Sequence, residues 1–173
     1  MTIHRLKSKQ TQGLSRVEWL SLLCVLLCIL SYLLPQLIHT GKNKKIKDAT
    51  ENMRAIYDAQ QAYFLRQKES DPELREAAYL TLPATPSLPS PLPQIANFDS
   101  SPWSLLGLDI NSNVFFSYET LAFGKGSDAH FEIFARGDLD GDGHQSMLKM
   151  RGKLDRLHKN LGRDVIFKID PLE

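Results

Sequence analysis

The chain has 173 residues, 42% of them hydrophobic and 24% charged, with 21 Lys and Arg against 20 Asp and Glu. A net charge of +1 with no long basic stretch excludes nucleic acid as the partner, because neutralising phosphates needs Lys and Arg clustered on one surface. Only two cysteines are present, Cys24 and Cys28; both lie inside an apolar run at a spacing of four, where they read as small packing groups, and the polar part of the chain has no disulfide.

That apolar run comes first in chain order. Between Val17 and Ile38, 17 of 22 positions are hydrophobic and Glu18 is the only charge. A run of about 20 residues is long enough to span a bilayer as a helix. It is too long for a secretory signal peptide, and no A-x-A cleavage pattern follows it, so the segment is expected to stay on the mature protein. Four basic residues precede it (Arg5, Lys7, Lys9, Arg16) and four follow (Lys42, Lys44, Lys45, Lys47), so charge alone does not orient the span. The lysines from Lys42 to Lys47 read as cations at the level of the lipid headgroups.

The string Gln12-Gly13-Leu14-Ser15-Arg16-Val17-Glu18 places a glycine at the end of a polar, basic leader and a carboxylate five residues later. This resembles the signal of type IV prepilins, which a prepilin peptidase cuts after the glycine on the cytoplasmic side, methylating the new N-terminus. With Leu14 as first mature residue, Glu18 is the fifth and Pro35 the twenty-second, where the family carries its glutamate and its helix-kinking proline. Arg16 departs from the family, which usually has an apolar residue or threonine there. A carboxylate at the edge of a hydrocarbon core costs several kcal/mol unless it is paired. In a filament of packed helices the resemblance pairs Glu18 with the α-amino group of Leu14 on a neighbouring subunit, which would set the axial register.

Past Gly41 the chain turns polar but keeps helical spacing in Ile46, Ala49, Met53, Ile56, Ala59 or Gln60, and Tyr63, an amphipathic helix. Asn52-Met53-Arg54-Ala55-Ile56-Tyr57-Asp58-Ala59-Gln60-Gln61-Ala62-Tyr63-Phe64 resembles the N-L-R-A-I-Y-x-A-Q-x-A-Y-F stretch of bacterial pilin-like proteins. One long helix to Lys68 is therefore expected. Asp71-Pro72-Glu73-Leu74 reads as the capped start of a short helix running to Leu80. From Pro83 to Pro93, five prolines in eleven residues predict an extended surface connection, neither helix nor central strand.

Strands are expected over Asn113 to Leu121 and His130 to Arg136. In the latter Phe131, Ile133 and Ala135 share one face, and Glu132 and Arg136 share the other. Weaker strand patterns cover Gln145 to Arg151 and Asp164 to Ile169, separated by a polar stretch open to a helical reading. The fold class expected is α+β, a type IV pilin-like arrangement of a long N-terminal helix on a small antiparallel sheet. Its segments are a leader (1–13), a transmembrane or filament-core helix (14–40), an amphipathic half packed on the head (41–68), a short helix with the proline-rich connection (69–112), and the sheet (113–173).

Asp138-Leu139-Asp140-Gly141-Asp142-Gly143-His144 carries the one chemical motif of the polar part. Carboxylates at positions 1, 3 and 5, a glycine at 6 and a carbonyl at 7 match the first half of a calcium loop. Position 12 is Lys149 in place of the bidentate glutamate, so beyond the His144 carbonyl at position 7, Ser146, Gln145, a distant acid or water would complete a shell of modest affinity. D-x-D-G-D-G turns of this kind resemble those in the last hairpin of pilin-like heads. The alternative is a tight acidic turn in which Asp side chains bond their own backbone and glycines supply positive φ; the mutual repulsion of three carboxylates favours the cation.

No H-E-x-x-H, nucleophile elbow or dinucleotide loop is present, and the five histidines are scattered, so no catalytic activity is expected. The resemblance implies a filament subunit serving adhesion, motility or secretion. Its partners would be other pilin subunits, the prepilin peptidase and a pilus or type II secretion assembly platform, reached from the bacterial inner membrane. The other reading is a single-span, membrane-anchored calcium-binding domain that never polymerises.

Overall fold

A single helix, α1, occupies Arg16–Arg66, 51 residues that include Pro35 and Gly41. The computed structural model describes residues 16–67, 70–73, 75–110, 113–154, 160–161 and 166–169. The expected leader with Gly13, and Leu14 beside it, lies outside the described residues.

The chain divides into two units, Met1–Thr40 and Gly41–Glu173. In the first, every described side chain from Arg16 to Leu33 is exposed, including Val17 at 76%, Trp19 at 64% and Tyr32 at 69%. Soluble monomers rarely leave so much contiguous apolar surface in water. This stretch is long and apolar enough to cross a membrane.

In the second unit the buried face of α1 is Ile46, Ala49, Met53, Ile56, Tyr57, Gln60, Gln61 and Phe64, recurring at the three-to-four spacing of one helix face. Gln60, not Ala59, continues the stripe, and Phe64 is buried where Tyr63 is only partly so. The opposing layer is an antiparallel sheet of β1 (Leu82–Thr85), β4 (Ser117–Phe123), β5 (His130–Gly137), β6 (Ser146–Leu154) and β7 (Asn160–Leu161), in the order β1-β4-β5-β6-β7, with β8 (Ile166–Ile169) also paired to β6. A separate two-stranded ribbon joins β2 (Gln94–Ile95) to β3 (Asn113–Val114). The chain is thus α+β.

Alternation decides which side of the sheet is core. Phe131, Ile133 and Ala135 of β5, Leu148 and Met150 of β6, and Tyr118 and Thr120 of β4 are almost fully buried, whereas Glu132, Phe134 and Arg136 turn the other way. Tyr57 of α1 meets Phe131 at 5.2 Å between ring centroids, and Phe131 meets Tyr79 at 4.5 Å. Each such aromatic contact adds about 0.5–1.5 kcal/mol beyond its burial. On the outer face, Arg136 pairs with Glu119 at 2.7 Å and Lys149 with Glu132 at 2.9 Å, flanking the Phe134 ring.

Two expectations need correction, and one between them is sharpened. Residues 71–80 form turns and extended chain, with no helix among the described residues. The Asp71 carboxylate accepts from Glu76 N at 2.7 Å, five residues on, which closes a turn and caps no helix. The physical reason lies on α1. The Gln60 side-chain amide binds both backbone groups of Leu80, donating to its O at 2.7 Å and accepting from its N at 3.0 Å. Gln67 does the same for Ala78, at 2.8 and 3.1 Å. Two side chains, Gln60 on α1 and Gln67 just past its end, thus take the place of a neighbouring strand and hold 78–80 extended against its own helical propensity.

Second, the proline-rich stretch, expected to be extended and no central strand, begins as an edge strand. β1 pairs with β4 through Leu82↔Thr120 and Thr85↔Tyr118, and Leu82 is completely buried. Pro83 is tolerated because β1 is an edge, where its missing N–H costs nothing. Third, the strand expected over Asn113 to Leu121 is broken at Phe115 and Phe116, so that β3 joins the ribbon and β4 the main sheet. Phe116 fills the space beside Gly137, where a Cβ would stand 2.8 Å from its ring. Of the polar stretch open to a helical reading, residues 155–159 and 162–163 lie outside the described residues, and Asn160–Leu161 is strand.

Candidate functional site

The loop from Asp138 to His144 connects β5 to β6 and closes at the Gly137↔Ser146 pair. Its glycines are there for the backbone: Gly141 has φ +83° and Gly143 φ +91°, which side-chain-bearing residues rarely adopt. The Asp138 carboxylate accepts from Gly141 N at 2.7 Å and from Gly143 N at 3.3 Å, and the Asp142 carboxylate accepts from His144 N at 2.8 Å.

The fold brings the carboxylates of Asp138, Asp140 and Asp142 together, with one oxygen from each lying within 4.8 Å of the others. A donor set made wholly of oxygen suits a hard divalent cation such as calcium. Ser146 is buried, and its hydroxyl donates to Gly137 O at 3.2 Å. The His144 ring is not among the clustered groups, and its backbone N–H donates to the Asp142 carboxylate. Lys149, in the twelfth position, faces Glu132 across the sheet. The residues therefore fit a partial shell of three carboxylates.

A fourth group at the loop was not foreseen. The Lys42 ammonium lies 2.8 Å from Asp140 Oδ2, with its side chain only 16% exposed against 38% for the aspartate. The hydrogen bond from Lys42 holds the Asp140 carboxyl below its usual range, against the opposing effect of desolvation. Lys45, one turn further along α1, lies over the Phe115 ring at 4.4 Å and donates to Pro91 O at 3.4 Å. Two lysines that read in the sequence as headgroup contacts are thus spent inside the second unit. The sequence separation of 98 residues between Lys42 and Asp140 leaves no local pattern that could have revealed the pair.

The residues expected to act in assembly belong to the other unit. Glu18 sits in the first turn of α1, where a carboxylate suits the positive end of the helix dipole. Its backbone carbonyl accepts from Ser21 Oγ at 2.8 Å. Pro35 lies within α1, and Gly13 and Leu14 lie outside the described residues. Cys24 and Cys28 are exposed free thiols on that helix. No protein-family model, curated protein or solved structure matches this chain.

Proposed function

We propose that the chain is a structural subunit of a type IV pilus-like filament, made as a prepilin, cut after Gly13 and assembled through its N-terminal helix. The observation that carries the reading is the bare apolar surface of α1 from Val17 to Leu33, whose large side chains are 42–76% exposed. Such a surface calls for lipid or for other apolar helices. A helix with a carboxylate in its first turn suits exchange between the two, because an incoming amino terminus can neutralise Glu18 as the helix leaves the membrane. On this reading the precursor spans the bacterial inner membrane with its leader in the cytoplasm and its head in the periplasm. It then joins a pilus or a periplasmic pseudopilus for adhesion, motility or secretion.

The test is mass spectrometry of the protein purified from its own cells. A methylated Leu14 terminus supports the reading, and an intact Met1 terminus sinks it. Imaging of sheared surface filaments for this subunit separates pilus from pseudopilus.

The clustered oxygens of Asp138, Asp140 and Asp142 favour calcium as a ligand of the head. This holds equally for a subunit and for an anchored domain that never polymerises, and the N-terminal mass decides between those two. Thermal melting of the full chain in detergent with calcium and with chelator tests the ion itself, and equal midpoints remove it.

A further inference from the structure

Three carboxylates within 4.8 Å of one another repel unless positive charge is brought among them. Two of the three are occupied by the loop's own backbone, Asp138 by the amides of Gly141 and Gly143 and Asp142 by that of His144. The third, Asp140, takes its positive charge from Lys42 at 2.8 Å. Most exposed ion pairs of this kind contribute little, because water screens both ends and two long side chains must be ordered. Here the lysine is largely withdrawn from solvent, at 16% exposure, and it projects from a helix already fixed by its buried stripe, so the ordering cost is small.

The loop is also held from its other side. A Cβ on Gly141 would stand 3.2 Å from Pro91 Cγ, so the glycine backbone rests against that proline, and Lys45 in turn bonds the Pro91 carbonyl at 3.4 Å. Lys42 and Lys45, three residues apart on one helix, therefore grip the acidic loop and the proline-rich segment together.

We propose that Lys42 is the resident counter-ion of the Asp138–His144 loop and latches it to α1, so that the loop keeps its shape without a divalent ion. The latch is electrostatic, which makes the loop a unit that opens locally when Asp140 loses its partner while the β4–β5 ladder stays closed. The proposal is independent of whether the chain polymerises.

Amide hydrogen exchange tests it on the full chain in detergent micelles, with chelator present throughout. The variants are Lys42→Met, Asp140→Asn and the double exchange Lys42→Asp with Asp140→Lys. Each single variant is expected to speed exchange of the Gly141 and Gly143 amides by about tenfold or more and to leave Ile133 in β5 unchanged. The double exchange is expected to restore most of that protection. Unchanged loop exchange in Asp140→Asn, a surface change that cannot unfold α1, overturns the latch and assigns the loop's shape to the Asp138 and Asp142 hydrogen bonds alone. A double exchange as fast as the single variants overturns it as well.

Discussion

Gln60 holds both backbone polar groups of Leu80, accepting from its N–H at 3.0 Å and donating to its carbonyl at 2.7 Å, from a side chain with no solvent exposure. Truncating it leaves a part-buried donor and acceptor of Leu80 without their partner, and each unmet buried group costs about 1–3 kcal/mol. Gln60→Ala is expected to destabilise the second unit by about 2–4 kcal/mol. Gln60→Glu is expected to cost more still, because it buries a charge and turns a donor toward Leu80 O into an acceptor. Denaturant unfolding read by near-ultraviolet circular dichroism checks both; a loss under half a kcal/mol for Gln60→Ala would show that water replaces the amide.

Gly152 has the opposite problem, too little room. A Cβ there would stand 2.3 Å from Phe131 Cζ and 2.6 Å from Tyr57 Cε2. Overpacking in a filled core costs about 1–3 kcal/mol and sometimes more. Gly152→Ala is expected to lower stability by at least that amount, and adding Phe131→Leu is expected to recover part of it. Melting of the single and double variants measures the coupling, and strict additivity would contradict the steric account.

If calcium binds the aspartate cluster, it competes there with the Lys42 ammonium. Removing that charge by Lys42→Met is then expected to raise calcium affinity about tenfold or more, since a nearby positive charge opposes the ion and must be displaced. Ser146→Ala is expected to leave affinity unchanged, because its hydroxyl is committed to Gly137 O. Asp138→Asn is expected to abolish binding. Titration calorimetry on the full chain in detergent reads all three.

Glu18→Ala is expected to eliminate filaments while leaving the melting of the second unit, and membrane insertion of the chain, unaltered. The reason is that Glu18 is exposed in the first turn of α1, and its loss makes the apolar run more apolar. Filament yield after shearing, set against the amount of subunit in the membrane, gives the answer. Filaments at the wild-type level would remove Glu18 from assembly.

What the sequence made legible is what repeats over short distances. The stripe from Ile46 to Ile56 and the alternation of Phe131, Ile133 and Ala135 are periodic, and both appear as buried faces. The Asp138–His144 motif is contiguous, so its position as a turn between two strands could be anticipated, and its three carboxylates do converge. What stayed hidden depends on partners far along the chain. The helical propensity of residues 71–80 loses to two glutamine amides, one on α1 and one just past its end, and the lysine at the aspartate loop is separated from it by 98 residues. Pro83 in a strand becomes acceptable only once β1 is known to be an edge.

That edge has a consequence for how copies of the head can meet. The outer side of β1 is capped by the Trp103 indole, which donates to Pro83 O at 2.9 Å, and Pro83 itself has no N–H to offer. On the far side of the sheet, Lys168 of β8 pairs in register with Leu148 and is exposed, placing a charge on the outermost strand there. Both are devices that stop sheets from growing into one another. Among the described residues, both features disfavour the pairing of a foreign strand with β1 or with β8, so a second copy would be met more readily through helices, loops or the outer face of the sheet.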